Sequence, residues 1–243
     1  MKPTKANDPI FNKKIGEFKT AEEQSVLADQ FIATAKEITA KHLGQTAADV
    51  NSLNKTYSSP VLGHMTIIQA MEKLALCIDP SDTELFCTSQ LTHALQVAEG
   101  MEQDHISDET MILAALIHDI GKLVEFAGAK PHEVNCPNEP ISQNQNVKEL
   151  AQTCITWNHD EFGYQIVKEH VPEHVAWLTR FHSLRFEKAE KFMSDKDREY
   201  YHKYLIPFRK YDLHTKSIYK VPSKRLYDYE ALLIKYFPKG ITV

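Results

Sequence analysis

The chain has 243 residues, with 28 Lys and Arg against 33 Asp and Glu and a net charge of −5. That balance argues against nucleic acid as a partner, and no run approaches the ~18–20 apolar residues of a membrane-spanning helix. At 42% hydrophobic and 25% charged residues, the composition suits one ordinary globular core.

The four cysteines, Cys77, Cys87, Cys136 and Cys154, form no CxxC pair and no disulfide framework, so they read as reduced thiols of a cytoplasmic protein. Positions 1–14 lack the apolar core of a signal peptide. Positions 1–18 read as an N-terminal arm, expected to be flexible, and 19–243 as a single helical domain. Thr20 and Glu23 form a capping box that opens an amphipathic helix through Val26, Leu27, Phe31, Ile32 and Ile38. Asn51, Ser52, Asn54, Ser58, Ser59 and Pro60 then read as a polar, turn-prone link. Thr66 caps a helix with Ile67, Met71, Leu74 and Ala75 on its apolar face. The stretch Ile78-Asp79-Pro80-Ser81-Asp82 breaks that helix and caps the next, which carries Leu85, Leu91, His93, Leu95 and Val97 and has Gly100 near its end.

Ser107 or Asp108 starts a helix that runs through the apolar positions 111–116 into Ile117-His118-Asp119-Ile120-Gly121-Lys122. Positions 127–146, rich in Pro, Asn and Gln, form a long irregular loop and a candidate lid. Helices are expected over 147–155, over 161–169, from Pro172 as an N1 proline to about 186, from about 195 through Asp212, and over about 224–236. No alternating strand pattern of useful length appears, so the fold class is all-α.

The composition is plain except for its 12 histidines. Adjacent His118 and Asp119 point about 100° apart on a helix, so a metal held by both sits where a helix unwinds. Gly121 supplies backbone freedom for the turn, and Lys122 puts a cation beside the site. His93, His159 and His182, with Asp212, also sit within or beside apolar stretches. Several imidazoles and two carboxylates in one interior are costly unless metal ions compensate their desolvation. Nitrogen and oxygen donors without cysteine suit iron, manganese or zinc, and four His with two Asp suffice for two metals if one carboxylate bridges. His42, His64, His105, His132, His170, His174, His202 and His214 read as surface residues, as does the basic C-terminal stretch.

The order His93, His118-Asp119, Asp212 resembles the HD-domain superfamily, a helical bundle with a dinuclear metal site at its centre in members that add two histidines. The segments Ser89-Gln90-Leu91-Thr92-His93, Leu116-Ile117-His118-Asp119-Ile120-Gly121-Lys122, Trp157-Asn158-His159-Asp160-Glu161, Arg180-Phe181-His182-Ser183 and Lys210-Tyr211-Asp212-Leu213-His214-Thr215-Lys216 resemble the myo-inositol oxygenase family, from about Gln45 to the C-terminus. The resemblance implies two irons, Fe(II) and Fe(III), held by His93, His118, Asp119, His159, His182 and Asp212, with Asp119 bridging. It also implies O2 as co-substrate and oxidative ring cleavage of inositol. In that setting Lys122 stabilises a substrate alkoxide, while Asp79, Asp82, Ser183 and Lys216 match polyol-binding positions.

After Lys122 the chain departs from the family pattern. A Gly-Asp-Thr-Phe-Pro-like segment, whose Asp hydrogen-bonds the substrate, is replaced by Asn135-Cys136-Pro137-Asn138-Glu139-Pro140, with Asn138 nearest the lost acid. The expected activity is therefore oxidation of inositol or a related small polar alcohol, polyol or phosphonate with cleavage of a C–C or C–P bond, by a monomer or weak oligomer. The alternative is a metal-dependent HD-type phosphohydrolase, against which stands the lack of a further Arg and Lys cluster near the motif. A helical interaction module with a dead site is a third reading, disfavoured because all six ligand positions are filled.

Overall fold

The computed structural model describes residues 21–58, 60–82, 88–141, 146–217 and 220–243, with side chains from residue 29 on. The expected arm over 1–18, the Thr20 cap and Leu85 lie outside the described residues. Helix α1 (Ala21–Leu43) buries Phe31, Ala35 and Ile38, the i, i+4, i+7 spacing of one helix face. Helix α2 (Ala47–Thr56) replaces the expected polar link. Thr46 and Asp49 close a capping box, and Val50 anchors the first turn in the core, so Asn51, Ser52 and Asn54 are helical. Helix α3 (Ile67–Leu74) starts at the expected Thr66, boxed with Gln69, and buries Ile67, Ala70, Met71 and Leu74.

Helix α4 (Gln90–Gln103) is capped by Ser89, whose hydroxyl accepts the Thr92 N–H, and not by Asp79 or Asp82. Helix α5 (Glu109–Ile117) opens on Asp108 and is buried at every position from Met111 to Ile117. A helix apolar all round belongs at the centre of a fold. It packs between α4 and later helices, and a 3-10 segment (Ile120–Ala127) continues the chain.

The expected irregular loop contains a short helix (Pro131–Val134) and ends in a bridge between Pro140 and Ile155. The helix expected over 147–155 is a single 3-10 turn (Leu150–Gln152), because only Leu150 of that turn reaches the core and Asp197 accepts its N–H. Helices α6 (His159–Val167) and α7 (Glu173–Phe181) follow, with Pro172 at the N-cap, one residue before its expected place. Helix α8 (Asp195–Tyr200) passes through a π turn (Tyr201–Leu205) into α9 (Ile206–His214). Pro207 has no N–H for an α-type bond, and the widened turn just before it accommodates the missing donor. A 3-10 turn (Leu226–Tyr229) leads into α10 (Glu230–Tyr236). The only strands among the described residues, His64–Met65 and Ile241–Thr242, pair antiparallel and are too short to leave an alternation in the sequence. The architecture is an all-α helical bundle, and none of its described helices is long and apolar enough to cross a membrane.

His42 corrects its surface assignment: it is 0% exposed, with Nδ1–H donating to the His132 carbonyl at 3.1 Å. Burial lowers its pKa to about 4. The unfolded imidazole takes up a proton near pH 6.5 and the folded one does not, so stability is lost as pH falls through that window, by up to about 3 kcal/mol. Urea melts at pH 7 and 4.5 should therefore show a smaller acid loss for His42→Gln than for the native chain. Parallel losses would assign the acid sensitivity to other groups.

Candidate metal centre

The site begins where α5 changes pitch. His118 closes the helix with α-helical dihedrals (φ −54°, ψ −37°), whereas Asp119 sits at φ −94°, ψ 7° and starts the 3-10 segment. This unwinding brings the two side chains together, with His118 Nε2 3.3 Å from Asp119 Oδ2. Gly121 has a different role from the turn expected of it. A Cβ there would lie 1.8 Å from the His159 carbonyl oxygen and 2.6 Å from the Gly163 nitrogen. Its absence lets the 3-10 segment cross α6 at backbone contact, which carries Asp119 to His159.

Four helix ends supply the other four donors: His159 starts α6, His182 follows α7, Asp212 lies in the last turn of α9 and His93 in the first turn of α4. Each of the six residues is at most 8% exposed. His93, His118 and Asp119 place one ligand atom each within 4.8 Å of one another, and so do Asp119, His159 and His182. Asp212 Oδ1 joins the first group, 2.9 Å from His93 Nε2 and 3.7 Å from His118 Nε2. Asp119 belongs to both groups. Its Oδ2 faces His118 and its Oδ1 lies 3.0 Å from His159 Nε2 and 3.6 Å from His182 Nε2.

Three of the four imidazoles are held for ligation. Nδ1–H of His118, His159 and His182 donates to the carbonyls of Ala115, Val134 and Thr179 at 2.9, 2.6 and 3.1 Å. That fixes the tautomer and leaves Nε2 with its lone pair, the usual arrangement of a ligating histidine. His118 Nε2 is buried with no hydrogen-bond partner. Such an atom fits a metal ion and fits an empty interior poorly. The nitrogen and carboxylate donor set suits a hard or borderline metal, iron included.

Electrostatics agree. Burial opposes ionisation of Asp119, yet Lys122 and His118 hold its carboxyl well below the usual range. Burial also opposes ionisation of Asp212, which its hydrogen bond from His93 and the nearby His118 keep far below that range. Burial lowers and Asp160 and Asp119 raise the His159 imidazole, leaving it at about 9, so a metal ion bound there would take the place of the proton on Nε2. At the donor cluster itself the carboxylates of Asp119 and Asp212 stay ionised and favour a cation.

A sequence model of the family described as myo-inositol oxygenase matches residues 33–138 and 138–243. The chain belongs to the myo-inositol oxygenase family. Inositol oxygenase 1 of Arabidopsis thaliana is 29% identical over 240 residues, spanning 82% of this chain and 76% of that protein. Inositol oxygenase of Bos taurus is 25% identical over 255 residues, spanning 87% of this chain and 86% of that protein.

In this member of the myo-inositol oxygenase family the donors floor a cavity of about 490 Å³, and Asp79, Asp82, Lys122, Ser183 and Lys216 all line it. Lys122 Nζ donates to Asp79 Oδ2 at 2.9 Å and to Gln90 Oε1 at 2.8 Å, and Lys216 Nζ donates to Asp82 Oδ2 at 2.7 Å. Burial works against the Lys122 charge, but Asp119 and Asp79 outweigh it and raise its pKa. Ser183 Oγ donates to Asp160 Oδ2 at 2.7 Å.

Asn138 does not line this cavity. Its Nδ2 donates to Asn158 Oδ1 at 2.7 Å and its Oδ1 accepts from Thr156 at 3.1 Å, while Cys136 and Pro137 form the wall. The Asn138 carbonyl also accepts the Arg185 N–H at 2.9 Å, so side chain and backbone are both committed to structural partners.

Four further residues contribute without a clear signal in the sequence. Gln90 lies three residues before His93, hence on the same face of α4. Its Nε2 is buried without a partner. Asp160 is fully buried, with Oδ1 3.0 Å from His159 Nε2, and adjacency to His159 was its only signal. Arg185 and Arg209, 24 residues apart in sequence, both line the cavity, so the basic cluster sought near the motif forms only on folding.

Proposed function

We propose that this protein is a dinuclear iron oxygenase acting on myo-inositol or a related small polar alcohol, with Fe(II) and Fe(III) bound and O2 as co-substrate. The observation that carries the reading is Asp119, one buried carboxylate offering a separate oxygen to each of two donor groups. His93, His118 and Asp212 would complete one site, and His159 with His182 the other. When bound, the irons supply Lewis acidity and the redox capacity for O2 to oxidise the alcohol by four electrons, opening inositol to glucuronate with water as the other product.

The chain's own residues position and polarise the substrate. Lys122 is held charged at 3.3 Å from Asp119 Oδ2, so it serves as an electrostatic clamp for a hydroxyl losing its proton, not as the base. Asp79 and Gln90 fix its ammonium, and a second, half-buried pair, Lys216 with Asp82, faces the same space. Ser183 offers a hydroxyl whose direction Asp160 sets. Together they suit a ligand with several hydroxyls.

Lys122→Ala should keep its iron while kcat falls by about 10²–10³, the size of one lost charge-stabilising group. It should also lose about 3–5 kcal/mol of stability, since Asp79 is left buried and unpaired. Normal turnover in that variant would remove the clamp from the mechanism. The reading as a whole is tested by metal analysis, electron paramagnetic resonance and O2 uptake on iron-loaded, partly reduced protein, with and without myo-inositol. A mixed-valent signal perturbed by inositol, with O2 consumed, supports it. Absence of an iron pair, together with anaerobic phosphoester hydrolysis, would replace it with the phosphohydrolase.

A further inference from the structure

The cations that line the cavity differ in their counter-charges. Lys122 is paired with Asp79 and Asp119, Lys216 with Asp82, and Arg185 with Glu139 at 2.7 Å. Glu139 also takes Lys188, so one carboxylate answers two cations there. Arg209 has no carboxylate partner among the described residues. Its Nε donates to the His182 carbonyl at 3.0 Å and its Nη2 to the Leu184 carbonyl at 2.7 Å, and its guanidinium lies 5.5 Å from the Phe186 ring centroid. The exposed Glu187 on the same wall makes no ion pair with it.

This arrangement is a preorganised fork. The two carbonyls belong to the turn that carries His182 and Ser183, so they fix the guanidinium against the donor cluster without cancelling its charge. Nη1 makes no hydrogen bond within the described protein. A planar guanidinium with free donors, held still and half-buried, favours a ligand that presents two oxygens sharing a negative charge.

We propose that Arg209 is the docking group for an oxyanion carried by the substrate, which is then a small polyol bearing a phosphate or a carboxylate in preference to a neutral one. This rests on the oxygenase reading above and narrows its substrate class. The anion sits on Arg209 beside the His182 turn, and the hydroxyls reach Lys122, Ser183 and Lys216 deeper in the cavity. Glu139 and Glu187 together balance the neighbouring Arg185 and Lys188, so the net positive charge of this wall is that of Arg209.

The test is calorimetric titration of the iron-loaded protein with two matched pairs, myo-inositol against myo-inositol 1-phosphate and sorbitol against gluconate. One pair should show at least a roughly tenfold preference for the anion, the size of a charge-assisted fork, and that pair names the oxyanion. The preference should fall at least tenfold in Arg209→Gln, fall less in Arg209→Lys, which keeps the charge without the fork, and shrink with added salt. No preference in either pair, or one that Arg209→Gln retains, overturns the proposal. So does a parallel loss of affinity for both members of a pair, which would mean that Arg209 only supports the His182 turn. O2 uptake in the same samples separates the two readings. An anion preference without O2 uptake keeps the docking group and discards the oxygenase, whereas uptake on neutral polyols alone does the reverse.

Discussion

Gly121→Ala should abolish the folded, metal-binding state, although it adds a single methyl group. The new Cβ would stand 1.8 Å from the His159 carbonyl oxygen and 2.6 Å from the Gly163 nitrogen. Both obstacles are backbone, so no side chain can swing aside. The 3-10 segment must retreat from α6, and Asp119 and Lys122 retreat with it from His159. Overpacking a core commonly costs about 1–3 kcal/mol, and a backbone-to-backbone clash belongs at or beyond the upper end. Gly163→Ala is the control. Its Cβ meets Gly121 N at 3.2 Å and a Thr179 methyl at 3.3 Å, contacts that a few tenths of an ångström relieve. Thermal melts and iron content should rank native above Gly163→Ala and Gly163→Ala far above Gly121→Ala. A Gly121→Ala protein that melts with the native one and keeps its iron would show that the crossing is not what joins the two donor groups.

The parts of this site legible in the sequence are those where a local rule and the tertiary outcome coincide. His118-Asp119 stood out because two polar residues close an apolar run, and the change from α to 3-10 geometry falls between them. The Thr66 cap was legible because its box partner Gln69 lies three residues away. Asp79 and Asp82 carry two readings in the sequence, a helix cap and a pair of polyol-binding positions, and only the cap of α4 fails. Their spacing suits a helix cap, but the lysines at 122 and 216 compete for those carboxylates from far along the chain, and Ser89 is left to cap α4. Asn138 is nearest in sequence to the missing acid, but Asn158 and Thr156, some twenty residues on, hold its side chain outside the cavity lining. His42 looked polar in its neighbourhood, yet its place on α1 against the Pro131–Val134 helix buries it completely. A one-dimensional reading finds chemistry where neighbours in sequence are neighbours in space. Arg209, whose partners are the carbonyls of a turn more than twenty residues earlier, leaves no such trace.

Asp119→Asn should empty both metal sites, whereas His182→Ala should empty one. The two donor groups share only Asp119, and they use different oxygens of it. Oδ2 lies 3.3 Å from His118 Nε2 and Oδ1 3.0 Å from His159 Nε2. An asparagine amide keeps one acceptor oxygen and replaces the other with an NH2 that offers hydrogens and no lone pair, so it cannot serve both sides in either orientation. It also removes the charge that, with Asp79, keeps Lys122 protonated in a buried site. Lys122 would then face the remaining donors with less compensation, which disfavours a second cation nearby. His182→Ala deletes a donor from one group only and leaves His93, His118, Asp119 and Asp212 in place. Metal analysis on both variants decides the matter: near-zero iron in Asp119→Asn with about half the native content in His182→Ala supports a shared carboxylate. One iron retained in Asp119→Asn would mean that the His93 and His118 group binds without it, and the bridge would have to be given up.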